Sequence, residues 1–164
     1  MNLHRVFLAF LLLTCSACRT LSVVAARQNC VVTRPPFPSF TPPAPYSSRA
    51  GEGEFLYGSP ALWTIVYPDW HIHSSGKMPF FRQGYDWRNE GRPHLTVVAR
   101  RLDGPAPLVW NESAGSGYTD TSLAGMFMVT GIDIPSSGCW EIGARYIDNP
   151  GNVGALNYTV WVNP

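Results

Sequence analysis

The sequence predicts an all-β protein, an antiparallel β-sandwich preceded by an export signal and a proline-rich strap. Three observations carry this. There are 15 Gly and 15 Pro in 164 residues, a density that opposes helix interiors. No window shows a convincing helical period. Short runs of β-branched and aromatic residues recur between Gly, Pro, Asn and Asp clusters. The length suits one domain with a real core, and 13% aromatic residues argue against disorder.

The chain opens on Met1-Asn2-Leu3-His4-Arg5 and an apolar run from Val6 to Leu13. A basic start before a short apolar run is the pattern of a signal peptide, here residues 1–17. The run falls short of the roughly 20 apolar residues that cross a bilayer. Thr14-Cys15-Ser16-Ala17-Cys18 then resembles the lipobox of bacterial lipoproteins, with Cys18 as the acylated residue. Cys15 stands where Leu is usual. A rival cut after Val24-Ala25-Ala26 would give a soluble secreted product. Either cut leaves Cys30 and Cys139, a natural disulfide pair in an oxidising compartment, with two buried thiols as the alternative. The loop closed is about a hundred residues, worth roughly 4–5 kcal/mol in the chain-entropy model. The single CxxC, Cys15-Ser16-Ala17-Cys18, is lost with either expected cut, which removes zinc-knuckle and thioredoxin-type motifs from the remaining chain.

Residues 18–50 read as a tether and strap. Six of the fifteen prolines fall between Pro35 and Pro45. Such a stretch cannot be helix and lacks donors for a central strand. Phe37, Phe40 and Tyr46 interleave with it, which favours a strap pinned along the domain. The sandwich then occupies 51–164. Strands are expected over 61–67, 95–102, 107–112 and 125–134, with Pro68-Asp69 ending the first and Asp103-Gly104 turning the second. Residues 113–117, Ser-Ala-Gly-Ser-Gly, read as a flexible loop. The last hairpin is clearest. Trp140, Ile142, Ala144 and Tyr146 alternate with Glu141, Gly143 and Arg145. Asn149-Pro150-Gly151-Asn152 turns the chain. Leu156, Tyr158, Val160 and Val162 then alternate with polar neighbours and Trp161. Period two sends Trp140, Tyr146 and the four residues from Leu156 to Val162 to the core, and Cys139 to the other side or the strand start.

Several segments together resemble a family of small exported bacterial proteins. They are Cys30-Val31-Val32-Thr33-Arg34-Pro35 with Pro42-Pro43, Ala61-Leu62-Trp63-Thr64, Gly84-Tyr85-Asp86-Trp87-Arg88, the stretch Arg100 to Pro107, and Pro135 to Ile142 with its GCWE strand. The resemblance runs from about Cys30 to Val162. It implies an extracytoplasmic, immunoglobulin-like β-sandwich and brings no catalytic residues. The sequence departs from that pattern at 67–73 and in the longer turn from Asp148 to Gly154.

Charge narrows the partners. Twelve basic residues against eleven acidic lack the footprint of a nucleic-acid binder. Loss of Arg5 with residues 1–17 balances the two, so membrane attachment would rest on a lipid anchor alone. Two constellations bear on chemistry. Asp69, His71 and His73 share one strand face and would meet a metal, with His94 as a fourth ligand if the fold brings it near. Solvated edge-strand histidines are the plainer reading. The segment from Phe80 to Arg88 mixes aromatics with charge. Arg82, Tyr85, Asp86, Trp87 and Arg88 suit a sugar ring or peptide through stacking and bidentate hydrogen bonds. The plainer reading is a core-capping segment in which Trp87 packs and Arg82 or Arg88 stacks on aromatics. There is no G-x-S-x-G and no phosphate-cradling loop. The expectation is a non-enzymatic, cofactor-free envelope protein of binding or structural role, with a glycan or protein partner.

Overall fold

Among the described residues, alternating apolar residues build ten strands, and the strands form two sheets whose inner faces share one core. The computed structural model describes residues 27–46, 50–71, 77–90, 92–119 and 125–164. The strands are β1 (Phe55–Ser59), β2 (Leu62–Val66), β3 (Asp69–His71), β4 (Lys77–Phe81), β5 (His94–Arg101), β6 (Val109–Asn111), β7 (Gly115–Thr119), β8 (Gly125–Gly131), β9 (Gly138–Ile147) and β10 (Val153–Asn163). Sheet A has the order β1-β2-β4-β8-β7 and sheet B the order β3-β10-β9-β5-β6. Every ladder is antiparallel except β3 with β10, which is parallel.

The hairpin β9–β10 is the spine of sheet B. Its ladder runs unbroken from Ile147↔Val153 to Gly138↔Val162. Trp140, Ile142, Tyr146, Tyr158, Val160 and Val162 are all buried in the inter-sheet core, as period two requires. The indole of Trp140 donates to the Ser136 carbonyl at 3.0 Å, so its one polar atom is satisfied. Burial raises the pKa of the Tyr158 hydroxyl, which donates to Met78 Sδ.

Four strands depart from the expectation, each for a physical reason. β1 precedes the expected start and pairs along all of β2. β3 continues past Pro68 because the chain changes sheets there. β4 carries Pro79, which a central strand normally excludes. Its pairing is split, with β2 meeting only Phe80 and Phe81 while β8 meets 77–80, and the Pro79 carbonyl accepts from Thr64 Oγ1 at 2.7 Å. Residues 115–117, read as flexible, belong to β7 at the sheet edge. There the ring of Phe127 lies so close to Gly117 that a Cβ would sit 2.5 Å from its Cζ. The aromatic ring covers the glycine and makes this glycine-rich segment a usable strand.

β2 is buried on both faces. One face enters the core; the other, with Trp63 and Ile65, joins Leu56 and Phe81 in a second cluster on the outside of sheet A. The strap covers it. Trp63 and Phe81 are cross-strand partners with rings 5.8 Å apart at 11°. Tyr46 meets Trp63 edge-on at 4.9 Å, and Phe40 lies 5.8 Å from the same indole. The Tyr46 hydroxyl donates to the Arg82 carbonyl at 2.9 Å. Phe37, expected to help pin the strap, is fully exposed at 102%.

At its other end the strap is covalent. Cys30 is bonded to Cys139, with Cα atoms 5.6 Å apart and a sequence separation of 109. Cys139 faces away from Trp140 at the start of β9. Thr33 N–H then donates to the Thr159 carbonyl at 2.9 Å, and Thr159 N–H to Thr33 Oγ1 at 2.8 Å. The strap thus leaves the outside of sheet B, passes the edge of β10, and crosses onto the outside of sheet A. The peptide bonds before Pro38 and Pro45 are cis.

Candidate binding site at the β4–β5 and β9–β10 loops

β4 and β9 end side by side, and the loops that follow them meet around one guanidinium. Phe80 points into the core and Phe81 into the outer cluster, so Arg82 is the first residue free of the strand. Its Cζ lies 5.3 Å from the Tyr146 ring centroid. Its Nη2 reaches Glu90 Oε1 at 2.5 Å and its Nη1 lies 3.8 Å from Asp148 Oδ2. One cation therefore ties the β4–β5 loop to the β9–β10 loop.

Asp148 organises the second loop. Asn152 donates its backbone N–H to Oδ1 at 2.6 Å and its side-chain amide to Oδ2 at 3.0 Å. Gly151 donates to the Asp148 carbonyl at 2.8 Å and takes φ 91°, a left-handed value that suits glycine. The hydrogen bonds from Asn152 hold the Asp148 carboxyl below its ordinary range, with Arg82 adding to them.

Asp86 organises the first loop in the same manner. It accepts from Arg88 N–H at 3.0 Å and from Asn89 Nδ2 at 2.8 Å, while its carbonyl takes the N–H groups of Asn89 and Glu90. This turn holds Trp87 outward at 42% exposure, with Arg88 Cζ 5.3 Å from its ring centroid. Tyr85 turns the opposite way. It is 4% exposed, meets Tyr146 edge-on at 6.3 Å and hydrogen-bonds Ser116 of β7. Burial raises its pKa.

Of the five residues singled out from the sequence, Asp86, Trp87 and Arg88 form an outward platform. Tyr85 packs inside the domain and Arg82 is committed to Glu90 and Asp148. Both arginines stack on aromatics, as the core-capping reading expects, but Trp87, which that reading packs against the core, stays exposed. Beside the platform, a cleft of about 350 Å³ lies between the Pro60-Ala61 turn, Arg82, Gln83 and the loop that starts at Asp148. Arg82 Nε and the Tyr146 hydroxyl are buried there without a hydrogen-bond partner among the described residues. Glu90, Asp148 and Asn152 were not singled out from the sequence. The one available signal was Asp148 opening an unusually long turn.

The histidines are placed differently from a four-ligand site. His71 lies on β3, exposed, in register with Asn163 at the end of β10. His94 begins β5, opposite Ile147, whose β10 partner is Val153 at the far end of that strand. Three strand spacings of about 4.8 Å and most of a strand length separate them, so His94 does not complete a set with His71. His73 and Cys18 lie outside the described residues. Among the described residues, no group of three or more His, Cys, Asp or Glu is placed to hold a metal ion, and no helix is long and apolar enough to cross a membrane.

Compared with protein-family models, curated proteins and solved structures, the chain matches none.

The pairing around Arg82 is testable. Arg82→Ala leaves two largely buried carboxylates without their cation and should cost about 2–3 kcal/mol in urea unfolding. Arg88→Ala, at an exposed pair, should cost less than about 0.5 kcal/mol. Equal costs would contradict the assigned roles.

Proposed function

We propose that this protein is an exported, non-enzymatic component of the bacterial cell envelope, an immunoglobulin-like sandwich whose role is binding or structural. The observation that carries the reading is the Cys30–Cys139 bond, which belongs to chains that mature in an oxidising compartment. The order of strands supports the fold assignment. β2-β4-β8-β7 corresponds to the ABED sheet of an immunoglobulin domain, and β10-β9-β5-β6 to its GFCC′ sheet. β1 is then an addition, and the disulfide ties an N-terminal strap to the F-position strand instead of joining B to F. Acylation at Cys18 would anchor the domain, with a tether from there to the strap. A cut after Ala26 would release it instead.

Fractionation tests this reading. The wild-type chain should sediment with membranes and be released by detergent, and Cys18→Ser should move it to the soluble extracytoplasmic fraction. A soluble wild-type chain beginning at Arg27 would replace the anchor with secretion. A cytoplasmic chain with free thiols would defeat the proposal.

A second reading, a carbohydrate- or peptide-binding module, is favoured by one observation. Trp87 and Arg88 form a stacked pair held outward by the Asp86 turn. Tryptophan at an exposed position offers the flat apolar face that sugar rings and peptides use. On glycan and peptide arrays, a bound ligand should lose at least about tenfold in affinity with Trp87→Ala. Binding unchanged by that substitution would remove this surface from consideration.

A further inference from the structure

Two polar groups at the loop end are left unanswered by the described residues. Arg82 Nε and the Tyr146 hydroxyl are buried and have no hydrogen-bond partner there. Tyr146 is only 1% exposed, and an unmade hydrogen bond on so buried a hydroxyl costs free energy. The rest of the Arg82 guanidinium is in use. Nη2 is paired with Glu90, while Nη1 donates to the Gln83 carbonyl at 3.2 Å and faces Asp148. Both unanswered groups belong to residues that line the cleft of about 350 Å³.

The walls of this cleft are tied to one another. Gln83 N–H donates to the Pro60 carbonyl at 2.9 Å, which fixes the β1–β2 turn against the β4–β5 loop. At Gly154 a Cβ would sit 2.4 Å from the Ala61 carbonyl oxygen, so β10 closes on the same turn with no side chain between them. Asp148 and Asn152 hold the third wall through their paired hydrogen bonds. The space is therefore preformed, and its volume falls at the lower end of small-molecule sites.

Charge and hydrogen-bonding capacity select the ligand. One guanidinium faces two carboxylates, so the cluster carries a formal net negative charge. The hydrogen bonds from Asn152 hold the Asp148 carboxyl below its ordinary range, which keeps it ionised at neutral pH. An anion is repelled from such a site. The groups on offer are a donor at Arg82 Nε, a hydroxyl that both donates and accepts at Tyr146, and an acceptor at Asp148. Pro60, Ala61 and Val153 add apolar surface beside them. Sugar hydroxyls also donate and accept, so neighbouring hydroxyls of one ring can answer all three groups, while the ring's C–H face lies on the apolar surface. A peptide carbonyl only accepts.

We propose that this cleft binds one ring of an uncharged saccharide, with Arg82 Nε–H and the Tyr146 hydroxyl as the buried hydrogen-bonding groups. The proposal rests on the reading of this end as a binding surface, and it moves the deciding contacts from the Trp87 platform into the cleft.

NMR titration of the oxidised protein tests this. The probes are glucose, galactose, mannose and N-acetylglucosamine, each beside its uronic acid and each taken to about 100 mM to reach millimolar affinities. At least one uncharged sugar should shift the Arg82 Nε–H signal together with the amides of Gln83, Asn152 and Gly154. Its uronic acid should bind at least about tenfold more weakly. Tyr146→Phe removes only the hydroxyl. It should weaken the sugar at least about tenfold, while the free protein melts at the same temperature or higher because an unanswered buried group is gone. Val153→Trp fills the mouth of the cleft from a half-exposed position and should block binding as well; it decides alone if Tyr146→Phe melts lower. Trp87→Ala separates the two surfaces. A sugar lost with Trp87→Ala but indifferent to Tyr146→Phe and Val153→Trp sits on the platform and overturns the proposal. A sugar lost with the cleft variants and not with Trp87→Ala keeps the cleft and removes the platform. No shift with any uncharged sugar, tighter binding of a uronic acid, or shifts produced only by a capped trialanine peptide would each overturn it.

Discussion

An outer sheet face made of Trp63, Phe81, Leu56 and Ile65 cannot be left in water, and the strap is what covers it. Phe40 and Tyr46 supply the covering rings. Neither would stay in place on a free tail, because ordering each backbone residue costs about 1–2 kcal/mol. The Cys30–Cys139 bond removes much of that cost in advance by fixing the start of the strap, and the hydrogen bonds between Thr33 and Thr159 set its direction. Prolines lower the cost further, since their φ is already restricted. The disulfide, the proline cluster and the aromatic pair on β2 and β4 therefore form one device.

The same device reaches the candidate binding end. Tyr46 packs on Trp63 and bonds the carbonyl of Arg82, the residue whose guanidinium joins the two loops. Around Arg82 a single cation faces Glu90 and Asp148, so the cluster does not present net positive charge to a ligand. What it supplies is position. It locks the loop that carries Asp86, and Asp86 in turn holds Trp87 and Arg88 at the surface. The exposed side chains of this end, Trp87 and Arg88, thus stand on a rigid base.

Much of this was legible in the sequence. The β9–β10 hairpin alternates so regularly that its inner face, from Trp140 to Val162, follows from period two alone. The cysteine pair followed from the expected export signal and arithmetic, and the strap from proline density with interleaved aromatics. Other parts were hidden because local signals pointed elsewhere. Pro79 disguised a central strand that survives by splitting its pairing between two neighbours. Gly115 and Gly117 disguised an edge strand that is completed by Phe127, a residue distant in sequence. Pro68 looked like a terminus when it marks the passage from one sheet to the other. Tyr85 resembled a surface aromatic beside Trp87, yet only the tertiary position of Tyr146 and Ser116 decides that one ring turns in and the other out. Asp148 and Glu90 converge on Arg82 from 66 and 8 residues away, and only the shorter separation is printed in the local sequence.

The central claim is that the strap is part of the folded domain and that the Cys30–Cys139 bond holds it there. Amide hydrogen exchange at Thr33 and Thr159 reads this most directly, in oxidised protein and after reduction. The account predicts that in the oxidised protein both amides exchange within about tenfold of the slow amides of β9, and that reduction releases Thr33 toward the rate of an unstructured peptide. Rapid exchange at Thr33 with the disulfide intact would contradict it.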